Sequence, residues 1–358
     1  MSRESQEWLN RNVLVGNADK RGTAWHYRAD LQTPVAFMVN GREVTHLGNH
    51  YDGFIPVSHV QARLFDWEPV EAPIYAVTGM RADGSEEFSP IPDKKRIYPS
   101  DDISHTFGIF SDGYVAHDFG DWLLGNVSAI LSDTLNVSSA GLLKGRSVAW
   151  VEVSVPDTIG TPEGVAFRPN LLATTSLDGS IATQYRRTCT LTVCDNTLAM
   201  ALSEKGQVYK RKHTRYSAGK VAQDEARAAL AMVEESAEEI AQTITDLCQM
   251  PVTDKEFSRV VSTLVPIPED TSKKMATTIA EKKRGELSKL WISDSRVEPW
   301  KGTAFGVVQA FNTWEHHIKG TRGSANVAER NMLGTITGSF QKNDAQVMDT
   351  LRKVLASA

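Results

Sequence analysis

Ser147-Val148-Ala149-Trp150-Val151-Glu152-Val153-Ser154-Val155, halted by Pro156, is dense in β-branched and aromatic residues and predicts a strand. Phe167 to Leu177 predicts a second, and the Asp178-Gly179 that follows is a strong signal for a chain reversal between strands. The returning strand, Ile181 to Val193, would put Ile181, Tyr185, Cys189, Leu191 and Val193 on a packed face. Gln184, Arg186, Thr188, Thr190 and Thr192 would then lie on a face left in water.

Downstream the period changes. Asp195 or Asn196 would cap a short helix from Thr197 to Leu202, closed by Gly206. From Ser217 to about Met250, Val221, Leu230, Val233, Ile240, Ile244 and Leu247 recur at helical spacing opposite Glu234, Glu235, Glu238 and Glu239, with Pro251 as the stop. Further helices are predicted over Lys273 to Leu290, Thr303 to Ile318 and Ala345 to Leu355. Upstream, Asn40-Gly41, Asp52-Gly53, Asp83-Gly84, Pro90 and Pro92 favour short strands and hairpins over long helices. Asp83-Gly84 suits a two-residue hairpin.

Strands followed by helices, without regular alternation, predict an α+β fold: a hairpin-rich antiparallel sheet packed by helices, with a helical C-terminal region. The expected organisation is a turn-rich β region over 1–95, an α+β core with a basic hairpin over 96–250, and a mostly helical region over 251–358.

With 358 residues, 41% of them hydrophobic and 23% charged, the chain can bury a sizeable core. No apolar stretch approaches the ~20 residues of a membrane span, and Met1 to Glu7 lacks the apolar core of a secretory signal. A cytoplasmic protein is expected, in the host cytoplasm if phage-encoded. Cys189, Cys194 and Cys248 are too few and too irregularly spaced for a disulfide framework, so reduced thiols with a packing role are expected.

Against a net charge of -5, the run holding Tyr209, Lys210, Arg211, Lys212, His213, Arg215 and Tyr216 is a local exception. As a strand neither of its faces is apolar enough for a core, so it is expected on the surface. Cations interleaved with tyrosines suit a single-stranded nucleic acid, in which charge follows the phosphates and rings stack on bases. Lys144, Arg146 and Arg186 would join the same groove if their strands pair. With about six phosphates neutralised, log affinity would fall with log salt at a slope of roughly -4. The alternatives are a solvated hairpin paired with Glu234 to Glu239, or a docking face for acidic protein partners.

Catalytic signals are sparse. Glu43, His46 and His50, with Asp52 and His59 close behind, have helical metal-ligand spacing, but turns bracket them. There is no Gly-x-Ser-x-Gly elbow, and Ser217-Ala218-Gly219-Lys220 lacks the upstream glycine of a phosphate loop. No catalytic residue, metal or cofactor is expected from sequence. An enzyme assembled from distant residues, with His26 or His213 as acid/base, stays open as an alternative.

Seven segments in order resemble an uncharacterised family of phage- and plasmid-borne proteins. They are Arg21-Gly22-Thr23-Ala24-Trp25-His26; Ala62 to Trp67 running into Pro73-Ile74-Tyr75; Phe107-Gly108-Ile109-Phe110 with Tyr114; Ala140 to Arg146; Cys194 to Leu198; Arg211 to Thr214; and Gly302-Thr303-Ala304-Phe305. The chain departs from that pattern at Phe54-Ile55-Pro56-Val57, where the turn-rich segment from Asn40 looks like an insertion. The resemblance implies a setting in mobile-element DNA metabolism. Element order is also similar to that of ring-forming single-strand annealing recombinases, a likeness of fold alone. The expected function is a non-enzymatic, homo-oligomeric protein that binds and anneals single-stranded DNA.

Overall fold

The computed structural model describes residues 3–16, 34–131, 136–155, 158–191, 196–198, 208–211, 213, 237–270, 272–321 and 327–357. Helix α1 (Arg3–Asn12) leads into strand β1 (Val13–Val15), and β2 (Pro34–Val39) pairs with β3 (Arg42–Leu47) as a separate hairpin. Asn40 and Gly41 both take positive φ, the backbone a tight two-residue turn needs. Helix α2 (Val57–Leu64) precedes a meander of β4 (Pro69–Met80), β5 (Glu86–Pro99) and β6 (Gly108–Ser111). A π-helical turn at Phe119–Leu124 continues into the short α3 (Gly125–Ser128).

Next come β7 (Asn136–Leu143), β8 (Val148–Ser154), β9 (Ile159–Gly160), β10 (Ala166–Ser176), β11 (Thr183–Leu191), β12 (Asn196–Leu198) and β13 (Val208–Arg211). With β1 they form an antiparallel eight-stranded sheet, ordered β1-β7-β8-β10-β11. β12 and β13 pair end to end along the outer edge of β11, and β9 pairs with β10. The rest is helical: α4 (237–249), α5 (Asp254–Leu264), α6 (Lys274–Ser293), α7 (Ala304–Thr313), α8 (Val327–Thr337) and α9 (Ser339–Ala356). The fold is α+β, as the order of periodicities predicts.

Trp150 shows how closely β7 and β8 fit together. It pairs across to Gly141 on β7, and its indole lies flat over that position: a Cβ there would sit 2.0 Å from Trp150 Cη2. Its Nε1 donates to Ser139 Oγ at 3.3 Å. Leu14, Ala140, Leu142, Val151, Leu171, Ala173 and Tyr185 form one face, packed by α2 and by Phe107, Phe119, Leu123 and Val127. Val13, Val148, Trp150 and Leu172 form the other, beneath Leu9 of α1 and Ala328, Met332 and Ile336 of α8. Towards its far end the sheet presents Phe167, Cys189 and Leu191 to a third core built with α4 to α7 and α9.

The expectation of a wet face on β11 is overturned. Gln184, Arg186, Thr188 and Thr190 are all buried, because helices from the C-terminal third cover them. Gln184 Nε2 donates to the carbonyl of Ile336 at 2.8 Å. The neighbouring strands add Glu152, Ser154, Arg168 and Asn170, so this hidden surface is polar and internally hydrogen-bonded. Asn170 Nδ2 reaches Thr190 Oγ1 at 3.0 Å, Arg168 donates to Thr158 Oγ1 at 3.0 Å, and Ser138 Oγ donates to Glu152 Oε1 at 2.9 Å.

Other expectations need amendment. Asn196–Leu198 is strand rather than the start of a helix, since pairing with Cys189 to Leu191 competes better than a local cap; residues 199–202 lie outside the described residues. None of α1, α2, α3, α5 and α8 is predicted from sequence, and α9 begins well before Ala345. The Asp83-Gly84 turn is where predicted but longer, with Arg81 N–H bonded to the Ser85 carbonyl at 2.7 Å. Helix α4 ends just before Pro251; the segment 217–236, with Glu234 and Glu235, lies outside the described residues. Cys189 is buried and Cys248 half-buried, its thiol pushed up to about 12 by burial with Glu163 adding to the shift; Cys194 lies outside the described residues. Among the described residues no helix is long and apolar enough to cross a membrane.

Candidate functional site

The β10–β11 hairpin ends with Thr175 and Thr183 side by side, their hydroxyl oxygens 2.7 Å apart at a fully buried position. Two histidines from distant parts of the chain meet there. His117, on the segment linking β6 to the π-helical turn, brings Nδ1 within 2.6 Å of Thr183 Oγ1. His213, just beyond β13, brings Nε2 within 3.3 Å of both hydroxyls. Asp118, next in the chain, caps the helical turn by accepting from Asp121 N at 2.6 Å.

The imidazoles are layered in an aromatic column. Phe110 stacks on Tyr114 at 4.0 Å, Tyr114 on His213 at 5.1 Å, His213 on His117 at 4.1 Å, and His117 on Trp122 at 4.1 Å, each pair within 18° of parallel. Tyr114 donates its hydroxyl to the Ser176 carbonyl at 3.3 Å. Burial drives the His213 imidazole down to about 4, partly offset by a hydrogen bond with the Val115 backbone, so it is neutral at pH 7. Burial likewise raises the Tyr114 phenol, helped by Asp178, and raises the Asp118 carboxyl. A hydroxyl beside the neutral His213 imidazole can exchange a proton with it, which is the chemistry an acid–base site requires.

Of the residues expected to bind nucleic acid, the three outside the basic run have partners within the protein. Lys144 and Arg146 occupy the β7–β8 turn with φ of 48° and 72°, separated by Gly145 at 60°. Lys144 Nζ lies 3.1 Å from Ser180 Oγ and 3.9 Å from Asp178, and its backbone N–H donates to Glu329 at 2.9 Å. Arg146 grips Asp101 with two hydrogen bonds of 2.7 and 2.9 Å and lies over Trp67 at 4.9 Å. Arg186, expected in water, is 8% exposed and donates to Gln341 of α9 at 2.9 Å; burial lowers its pKa. These three are engaged by the protein itself.

The basic run begins on an edge strand. Within β13, Tyr209 pairs with Tyr185, Lys210 with Gln184 and Arg211 with Thr183, at the sheet end that carries the β10–β11 turn. His213 then enters the aromatic column. Lys212, Arg215, Tyr216 and His26 lie outside the described residues. Of this cluster only Tyr114 and His213 fall in segments that carry the family resemblance; the spacing of His117, Thr175 and Thr183 follows no motif, and only the fold brings them together.

The histidines of 43–59 do not share a helix: His46 is on the strand Arg42–Leu47, His50 bridges to Val15, and only His59 is helical, on α2. Instead His46 stacks on Tyr51 at 4.0 Å, and His59 Nδ1 lies 3.1 Å from the Tyr51 hydroxyl, which also accepts from Arg63 at 3.2 Å. Among the described residues no three histidine, cysteine or carboxylate groups converge as metal ligands.

Residues 106–334 match a protein family described as a domain of unknown function, DUF932, and with more than half its length matched the chain belongs to that family. No curated protein and no solved structure matches the chain. The matched span includes the aromatic column, both threonines and β7 to β13; the β2–β3 hairpin and the long strand pair β4–β5 precede it.

Proposed function

We propose that this member of the DUF932 family binds single-stranded DNA along the outer edge of its central sheet and serves strand annealing in phage or plasmid recombination, as a homo-oligomer. One observation supports the reading above others. β13 is held by β11 along one side and brings Lys210 and Arg211 to a sheet end, and Lys212 and Arg215 follow directly in the sequence as further cations for a polyanion. With Lys144, Arg146 and Arg186 engaged elsewhere, four cations are left, enough for about four phosphates instead of about six. The slope of log affinity against log salt is therefore expected near -3 rather than -4. Titrating a labelled single strand at several salt concentrations measures it. Affinity indifferent to salt, or equal affinity for any acidic protein, overturns the proposal.

A second reading rests on the His117–Thr183–Thr175–His213 cluster. Two imidazoles around paired hydroxyls inside the family-matched region, that of His213 neutral, suit an enzyme with His213 as acid–base group and Thr183 as the hydroxyl it serves. Incubating DNA with the protein and looking for cleaved or modified product tests it. Turnover abolished by both His213→Gln and Thr183→Val supports this reading; turnover untouched by either excludes it.

A further inference from the structure

The strand pair β4–β5 extends beyond its own support. At its base β6 pairs with Lys94 to Ile97, and Lys95 bonds Glu71 at 2.8 Å. Past the irregularity between Pro73 and Tyr75 the pair continues as a two-stranded arm, and every residue from Arg81 to Lys94 is exposed. An isolated hairpin is marginally stable in water, so such an arm gains by lying against something.

One side of the arm is apolar. Val77 sits opposite Phe88 and Tyr75 opposite Pro90, which places these four on the same face. A bulge next to Thr78 returns Met80, opposite Glu86, to that face. Tyr75, Val77 and Phe88 are each 55% exposed, and Met80 is 66% exposed. The tip is acidic: Arg81 stands against Asp83, Glu86 and Glu87.

The complementary surface is on α6. Its inner side holds Ala280, Leu287, Leu290 and Trp291 in the core, while Met275 and Ile279 face outward, 79% and 59% exposed. At helical spacing from them, on the same flank, stand Lys282 and Lys289, the former in only a loose 3.8 Å pair with Glu286. Apolar residues with acids on one element match apolar residues with bases on the other.

We infer that the β4–β5 arm of one copy docks on the outward face of α6 in a second copy. The two patches differ, so the contact either closes as a pair of copies exchanging arms or propagates head-to-tail into a ring or filament. Apolar contact supplies affinity, and the opposed charges set orientation and make assembly sensitive to salt. The contact needs no DNA and is independent of how the basic edge is used.

Analytical ultracentrifugation of the full chain, stripped of nucleic acid, tests this. Wild-type protein is expected to self-associate reversibly, more weakly at high salt. E86K/E87K on the arm and K282E/K289E on the helix should each weaken association about tenfold or more. An equimolar mixture of these two variants restores opposite charge at both contacts and should recover association. V77D/F88D removes the apolar part and should yield monomers, with circular dichroism confirming that the sheet is intact. A wild-type protein monomeric throughout, charge-reversed variants that assemble like wild type, or a mixture that fails to recover overturns the proposal. So does a monomer whose arm binds lipid vesicles or a different protein.

Discussion

Arg186 on β11 donates to Oε1 of Gln341 on α9 at 2.9 Å, joining residues 155 positions apart across the buried polar face of the sheet. Gly338, at φ 74° in front of α9, lets the helix start against this guanidinium: a Cβ there would approach Nη1 to 3.1 Å. Arg186 is thus a tie between layers. Arg186→Ala should cost about 2–4 kcal/mol, because it empties a buried site and strands the Gln341 acceptor. Arg186→Lys should recover little of it, lacking the planar fork. Urea denaturation measures the loss, and the salt slope of DNA binding by the folded variant should stay at its wild-type value.

Arg146→Ala and the pair K210A/R211A should separate structural from DNA-facing cations. Arg146 already has Asp101 and the Trp67 ring, so its removal should leave the salt slope unchanged and cost about 1 kcal/mol of stability. The double substitution should make the slope shallower by about 1.4, two phosphate contacts on a single strand. The opposite pattern in salt-dependent titrations would move the DNA site to the β7–β8 turn.

Two glycines should respond in opposite senses to alanine. At Gly141 the added methyl meets the Trp150 ring, and the substitution should cost about 3 kcal/mol through overpacking. Gly285 lies mid-way along α6 with no atom within 4 Å of a built Cβ, so alanine there should add about 0.5–1 kcal/mol by relieving the entropy cost of a helical glycine. Thermal melts of the two variants beside wild type measure both.

Acid should weaken the fold in the range set by His213. Above pH 6.5 its imidazole is neutral folded and unfolded alike, and contributes no pH dependence. Below that the unfolded chain takes up a proton that the folded site refuses until about pH 4, so stability falls across this interval. The loss is on the order of 2–3 kcal/mol. His316 and His59, also lowered by burial, act in the same direction, whereas Asp118, raised by burial, acts against it. Stability of wild type and His213→Gln followed from pH 7 to pH 4 isolates the His213 share, and parallel curves would refute the assignment.

Strands were legible where local pattern and final environment agree. Val148–Ser154 and Ala166–Ser176 fall within a residue of their predicted bounds, because β-branched runs ended by Pro156 or Asp178-Gly179 have few other ways to fold. The face of β11 was misread because Gln184, Arg186 and Thr188 alternate as a solvated face does, while the helices that cover them come from far along the chain. α8 was missed for a related reason: Asn331 and Thr335 are buried polar residues that break the apolar stripe. Of the candidate sites, the run at 209–216 was visible as charge. The His117–His213 column was not, since stacking across 96 positions leaves no spacing to read.

The hydrogen-bonded underside of the sheet bears on how the protein is made. Its strands leave the ribosome well before their cover does, for the Ile336 carbonyl that receives Gln184 follows it by 152 residues. During that interval the uncovered surface is exposed to other nascent chains. A lining of serine, threonine, asparagine and arginine keeps its water until the late helices arrive, whereas an unbroken apolar lining would invite clumping during the wait. The polar underside thus tolerates a long delay in synthesis at some expense to the finished core.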